Sequence, residues 1–229
     1  MTEPQRERSL SFGSEAAAYE RGRPSYPPEA IDWLLPDGAR DVLDLGAGTG
    51  KLTTRLVERG VDVVGVDALE AGLDVVAVDP IAEMLELLRG ALPATPALLG
   101  TAEQIPLRDN SVDAVLVAQA WHWFDPKRAI AEVARVLRPG GRLGLVWNVR
   151  DARVDWVAAI TALITPYEGD APRHHSGRWR EPFAAQSLFG PLQLDHFDHA
   201  HEGGFDEVVM DRFRSVSFIA AQAEPVRRE

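Results

Sequence analysis

The sequence predicts an α/β fold, a doubly wound and mostly parallel sheet with helices on both faces. Three observations carry that prediction. Short apolar runs rich in valine and leucine alternate with stretches of helical period. A glycine-rich loop follows the first of these runs directly. The chain has 229 residues, enough for one such domain and short for two.

The elements follow in order. Residues 1–12 read as a loose leader. From Phe12 comes a stretch of aromatic residues and prolines, through Tyr19, Arg23, Pro24 and Tyr26 to Pro28. Pro28 suits the first turn of a short helix with Ile31, Leu34 and Leu35 on its apolar side. Residues 41–45 form a buried-strand signal that runs straight into residues 46–50, Gly-Ala-Gly-Thr-Gly. A helix with Leu52 and Leu56 follows and ends at Gly60. Further strand runs lie at 63–66, 75–78, 97–99, 114–118 and 143–147. Between the last two, Ile130, Val133, Ala134 and Leu137 recur at helical spacing, with Asp125-Pro126 opening and residues 138–141 closing the helix.

Two features break the pattern. Residues 61–72 are nearly repeated by residues 73–84, so two copies compete to supply the second strand, ending at Asp67 or Asp79. After residues 192–197 there is one amphipathic helix, with Phe205, Val208, Val209 and Phe213, and no convincing last strand. An unpaired sheet edge invites association, so a homodimer or a gap in the sheet is expected.

Composition excludes several classes. There is no cysteine, which removes disulfide scaffolds, thiol nucleophiles and thiolate metal sites. A net charge of -11 disfavours a nucleic-acid binder, and no apolar run reaches the roughly 18 residues of a membrane span. The polar start, residues 1–8, is not a secretory signal, and the expected compartment is the cytoplasm. His196, His199 and His201 do not share one strand face and lack a carboxylate set, so no metal is expected.

The chemistry concentrates at the glycine-rich loop. Glycines let a ligand approach the backbone, and the following helix start offers free N–H groups. A dinucleotide or S-adenosylmethionine fits such a loop. The dinucleotide fingerprint places its third glycine at position 51, where this chain has Lys51. Asp44, just before the loop, is placed to take the amino group of a methionine moiety.

Several blocks in order then resemble the class I S-adenosylmethionine-dependent methyltransferases, closest to the ubiquinone-biosynthesis-type and trans-aconitate-type branch. They are Phe12 to Pro27, Val42 to Thr53, Val78-Asp79-Pro80 with Met84 and Leu85, residues 100–107, residues 119–124, and Glu132 to Leu143. Together they run through residues 12–150, about two thirds of the chain. The resemblance implies that S-adenosyl-L-methionine is the cofactor, held by Asp44, Gly46, Ala47 and Gly48 at its methionine end. It implies that Asp79 or Asp67 takes the ribose hydroxyls, that Ala102 and Glu103 meet the adenine, and that Gln119 lies beside the methionine part. The family often has Asp where this chain has Thr101. Trp121 and Tyr26 are expected to face the substrate, Tyr19 to border the reacting sulfonium, and His122 to serve as a base if the acceptor must lose a proton.

Residues 1–35 are expected to form an N-terminal segment that folds over the site as a lid, and residues 36–229 a single domain. Insertions are tolerated better away from a pocket mouth, which favours Asp79 over Asp67. The implied activity is in-line transfer of a sulfonium methyl group to a small-molecule acceptor. A cofactor-binding protein without turnover and a nucleotide-dependent oxidoreductase are the competing readings.

Overall fold

A computed structural model of the chain describes residues 20–60, 74–169, 174–184 and 188–220. Helix α1 spans Pro28–Leu34 and is followed by β1, Asp41–Leu45, α2, Lys51–Gly60, and β2, Asp74–Asp79. Then come α3, Ala82–Ala91, β3, Ala97–Leu99, β4, Val112–Ala118, and a 3₁₀ turn at Trp121–Trp123. Helix α4, Pro126–Val136, leads into β5, Leu137–Val146, and α5, Asp155–Ile164. The five strands are ordered β3-β2-β1-β4-β5, and every pair is parallel. The chain therefore reverses direction across the sheet between β1 and β4, which puts a crevice at their carboxyl ends.

Strand alternation sorts the core into two layers. Leu43, Leu45, Val115 and Val117 pack under α4, whose Ala129, Ile130, Val133 and Val136 are buried. Val42, Ala114 and Leu116 face the other way, against Ile31 and Leu34 of α1 and Leu52 and Leu56 of α2. Ala77 on that same side meets Leu85 and Leu88 of α3. Helices thus cover both faces. The cap on α4 is as the sequence predicts: the Asp125 carboxylate accepts from the backbone N–H groups of Lys127 and Arg128, with Pro126 at the first turn.

One choice is decided as favoured and two expectations change. The second copy of the near-repeat forms β2, in register with β1 from Asp41↔Asp74 to Leu45↔Val78. The first copy, with Asp67 and the run 63–66, lies outside the described residues. Strand β5 starts at Leu137 and not at 143, because Leu137 already pairs with Val112. Residues 138–141 then bulge out before Arg142 re-enters opposite Ala114, with Arg138 held by Asp41 and Asp113 at 2.6 Å each. Finally, the stretch from Tyr26 to α1 belongs to the body of the domain and not to a lid. Tyr26 is buried in the same layer as Ile31, Leu34 and Leu56. Among the described residues, no helix is long and apolar enough to cross a membrane.

Beyond α5 the chain forms a 3₁₀ turn at Thr165–Tyr167, two more at His174–Ser176 and Arg178–Arg180, and the short α6, Glu181–Ala184. Residues 191–202 carry no regular structure. A π-helical turn at Asp206–Asp211 then leads into α7, Arg212–Arg214, and α8, Ser217–Ala220. Val216, Phe218 and Ile219 close against Ile164 of α5, making a helical cap beside the sheet.

Candidate active site

The carboxyl end of β1 carries a carboxylate where a core side chain is expected. Asp44 shares the α2 side of the sheet with Val42 and is fully buried. Its Oδ2 accepts from the Thr53 hydroxyl of α2 at 2.6 Å, and its Oδ1 has no hydrogen-bond partner. Burial pushes the carboxyl up to about 7; the Thr53 hydrogen bond opposes this and the nearby Asp79 charge adds to it. A buried acceptor without a donor is costly, and a donor group of a ligand would remove that cost.

The loop after β1 is held open by the end of β2. The Gly46 and Ala47 N–H groups donate to Val78 O at 2.8 and 3.1 Å, and the Gly48 N–H donates to Asp79 Oδ2 at 2.9 Å. Asp79 Oδ1 accepts from the Ile81 N–H at 2.8 Å, just ahead of α3. Burial raises the Asp79 carboxyl to about 6, against these two backbone hydrogen bonds. Gly46 has φ +76°, and a Cβ there would lie 2.7 Å from the Ala120 Cβ. Gly48 differs. Its φ is +57°, yet a Cβ would meet nothing within 4 Å, so it would project into open space.

Across the crevice, Gln119 at the end of β4 has φ +59°, a left-handed conformation rare outside glycine. Its backbone N–H donates to Val146 O at 2.9 Å and its side chain to Asn148 O at 3.4 Å. Asn148 in turn donates to Pro24 O and Ser25 O, at 3.3 and 3.0 Å. Gly46, Ala47, Gln119, Asn148, Pro24, Tyr26, Lys51 and Arg212 together line a narrow opening over the loop, of about 20 Å³. Pro24, Tyr26, Asn148 and Arg212 also line a much larger cavity of about 1220 Å³, which runs along the outer edge of β5.

Residues 20–23 tie this roof down. Glu20 pairs with Lys51 at the start of α2 at 2.7 Å, Arg21 with Asp211 at 2.8 Å, and Arg23 donates to Ser215 O at 2.7 Å. Gly22 lies against the cap so closely that a Cβ would come within 2.4 Å of the Arg212 backbone nitrogen.

Gly46, Ala47 and Gln119 therefore line this opening, while Gly48 and Asp79 are joined by a hydrogen bond at the loop and Asp44 lies buried at the end of β1. Tyr26 borders the opening. Ala102 is buried, and Glu103 Oε1 accepts from the Asp125 N–H at 2.7 Å, which ties the 102–103 turn to the start of α4. Trp121 departs from its expected place. It is 2% exposed, stacked on Phe183 at 5.2 Å and edge-on to Phe124 at 5.8 Å, so it is a core residue and presents no face to a substrate. His122 Nδ1 accepts from Trp147 Nε1 at 3.3 Å. Tyr19 lies outside the described residues. Among the described residues, no group of three or more His, Asp or Glu could hold a metal ion.

Arg23, Asn148 and Arg212 border the opening and Thr53 holds Asp44, roles that sequence reasoning did not assign. Arg23 and Thr53 lie within the blocks that carry the resemblance, and Asn148 sits just past the carboxyl end of a strand, but the sequence alone assigns none of the three a role.

Comparison with known proteins gives the family. A methyltransferase domain family matches residues 43–145. An uncharacterized methyltransferase of Schizosaccharomyces pombe is 37% identical over 214 residues, 90% of this chain and 80% of its own length. The chain belongs to the methyltransferase family. An uncharacterized methyltransferase of Mycobacterium tuberculosis is 73% identical over 164 residues, 72% of this chain, and the match spans 63% of that relative's length. A solved Methanococcus maripaludis structure, provisionally named an S-adenosyl-L-methionine-dependent methyltransferase, shares the fold. It has a TM-score of 0.54 at 17% identity, over 77% of this chain and 83% of its own.

The family's cofactor is S-adenosyl-L-methionine. The methyltransferase crevice suits it on two observations of its own: the unpartnered Oδ1 of Asp44, and the open space above Gly48. The Gly48→Val variant is expected to lose this cofactor while staying folded. A left-handed non-glycine residue costs about 1–2 kcal/mol, whereas the new side chain fills the space above the loop. Unchanged affinity in calorimetry would remove the loop from the site.

Proposed function

We propose that this chain transfers a methyl group from S-adenosyl-L-methionine to a small-molecule acceptor by in-line displacement, within the ubiquinone-biosynthesis-type and trans-aconitate-type branch. The observation that carries the reading is a fully buried carboxylate, Asp44, with one oxygen unpartnered beside a loop that leaves room for a ligand. The bound cofactor supplies an electrophilic methyl on a sulfonium. Held by Asp44 and the glycine loop, it would give that methyl to the acceptor and leave as the neutral thioether, with any acceptor proton going to solvent.

The chain's residues then bind and align. Asp44 takes the ammonium of the methionine part, oriented by Thr53. Asp79 keeps the loop in shape through Gly48 and offers its remaining lone pairs to the ribose hydroxyls. Ala102 and Glu103 flank the adenine. Gln119, fixed in its strained conformation by Val146 and Asn148, lines the methionine end. Alignment and exclusion of water are the main catalytic tasks, worth up to about 7–11 kcal/mol in well-oriented reactions. The acidic balance of the chain supports a small acceptor over a nucleic acid.

The opening beside the strap is about 20 Å³, and we infer that the strap at 20–23 opens and recloses on binding. Gly22→Val forces the strap off Asp211 and Arg212. Losing one charge-assisted hydrogen bond of about 1.5 kcal/mol corresponds to about tenfold. S-adenosylhomocysteine is therefore expected to leave about tenfold faster in stopped flow, with little change in melting temperature. An unchanged rate would mean the strap does not gate the crevice.

The test of function is a mass-spectrometric screen of small-molecule extracts supplied with S-adenosyl-L-methionine. A product heavier by one CH₂, absent with Asp44→Asn, is the expected result. Cofactor binding with no product across the screen would contradict turnover.

A further inference from the structure

One strand of the sheet is encoded twice. β2 is paired on both sides, with β1 from Asp41↔Asp74 to Leu45↔Val78 and with β3 from Ala77↔Ala97 to Asp79↔Leu99. Its Val75, Ala77 and Val78 are buried, and Ala77 packs on Leu85 and Leu88 of α3. A strand register is normally unique, because a single stretch of the chain carries the alternation that its slot demands. Here that stretch recurs. Residues 62–67 repeat residues 74–79 at every position but one, with Gly65 in place of Ala77.

The slot suits the first copy in its side chains, its end and its connections. Val63, Val64 and Val66 correspond to Val75, Val76 and Val78, and Gly65 lacks a single methyl group and adds no bulk. At the end of the strand, Asp79 Oδ1 accepts from the Ile81 N–H two residues on, and Asp67 is followed at the same distance by Leu69. Before the strand, α2 ends at Gly60, a residue suited to stop a helix, and Val61 completes a short connection of the usual length. Using the first copy moves twelve residues from the connection before β2 to the one after it. The total loop length is unchanged, and closure entropy varies only slowly with length.

We propose that β2 has two registers twelve residues apart, the one described here and a minor one in which residues 62–67 take the place of residues 74–79. The described register is preferred for two packing reasons. It sets the Ala77 methyl against α3, and it buries Ile81 at the entry to that helix. Both are small contributions, so the second register lies within reach of the folded chain and acts as a reserve when the first is damaged.

Paired substitutions test this. Val78→Asp puts a carboxylate at a fully buried position, and with one register the chain would carry an uncompensated charge in its core and lose the fold. With two registers it moves to the first copy. Val78→Asp is therefore expected to keep a cooperative melting transition, lowered by roughly 5–15 °C for the lost methyl and Ile81 contacts. Val66→Asp alone should melt within about 2 °C of the wild type, because the other copy supplies β2. The double variant Val66→Asp/Val78→Asp should show no transition, a strong coupling between two positions that do not share a strand. Hydrogen exchange read by mass spectrometry gives the register directly, with protection in Val78→Asp expected on residues 62–67 and lost from residues 74–79. Loss of the transition in Val78→Asp alone would overturn the proposal. So would a double variant that melts like Val78→Asp, or protection that stays on residues 74–79. None of these readouts needs a cofactor, so the outcome is independent of the methyltransferase reading.

Discussion

Asp44→Asn is expected to weaken cofactor binding by one to two orders of magnitude, roughly 10- to 150-fold, and, at the same time, to stabilise the empty protein. The two effects share one cause. The fully buried carboxylate has an unpartnered oxygen, and burial raises its pKa to about 7. A carboxyl raised on folding binds a proton in the folded state that it has already released in the unfolded state. Its contribution to stability therefore falls as pH rises from about 4, the ordinary aspartate range, to about 7, and stays low above that. The neutral amide avoids that loss. At pH 7.5 the gain is on the order of 1–3 kcal/mol, and each kcal/mol moves the melting temperature by roughly 2–4 °C in a domain of this size. Meanwhile a charge-assisted hydrogen bond of about 1.5–3 kcal/mol is lost to the ligand, roughly 10- to 150-fold in affinity. In the wild type, affinity for the ammonium group should also weaken as pH falls below about 7, because the carboxyl must first ionise. Melting curves and titrations from pH 5 to 8 check both halves. A variant that is less stable and binds normally would show Asp44 to be a structural residue.

The second large effect concerns the choice between the duplicated aspartates. Asp79→Ala should weaken cofactor binding about 10- to 100-fold, and Asp67→Ala should do little. Asp79 ends the strand that pairs with β1, and its carboxylate holds both the Gly48 N–H of the loop and the Ile81 N–H before α3. Alanine therefore removes the ribose acceptor and leaves two backbone donors without their partner. Melting temperature should fall together with affinity. The reverse ranking of the two variants in a binding assay would place the ribose at the first copy.

Local signals made much of this legible in advance. The capped start of α4, the run from Asp44 into the glycine loop, and the choice of the second copy for β2 all depend on residues a few positions apart. What failed to show depends on pairing across the fold. Leu137 reads as the last apolar residue of a helix, and only Val112 opposite makes it the first of β5. Trp121 reads as a pocket residue, since an aromatic cluster after a strand looks the same whether it faces a ligand or Phe183. The roof of the crevice was out of reach, because Arg21 meets Asp211 and Arg23 meets Ser215 across about 190 residues of sequence.

The most direct test of the central claim is a calorimetric titration of S-adenosylhomocysteine into the wild-type chain and Asp44→Asn at pH 7.5, with NAD as the control ligand. One site per chain, weakened about tenfold or more in the variant and blind to NAD, is the expected result. Saturable binding of NAD, or no binding of S-adenosylhomocysteine to the wild type, would contradict it.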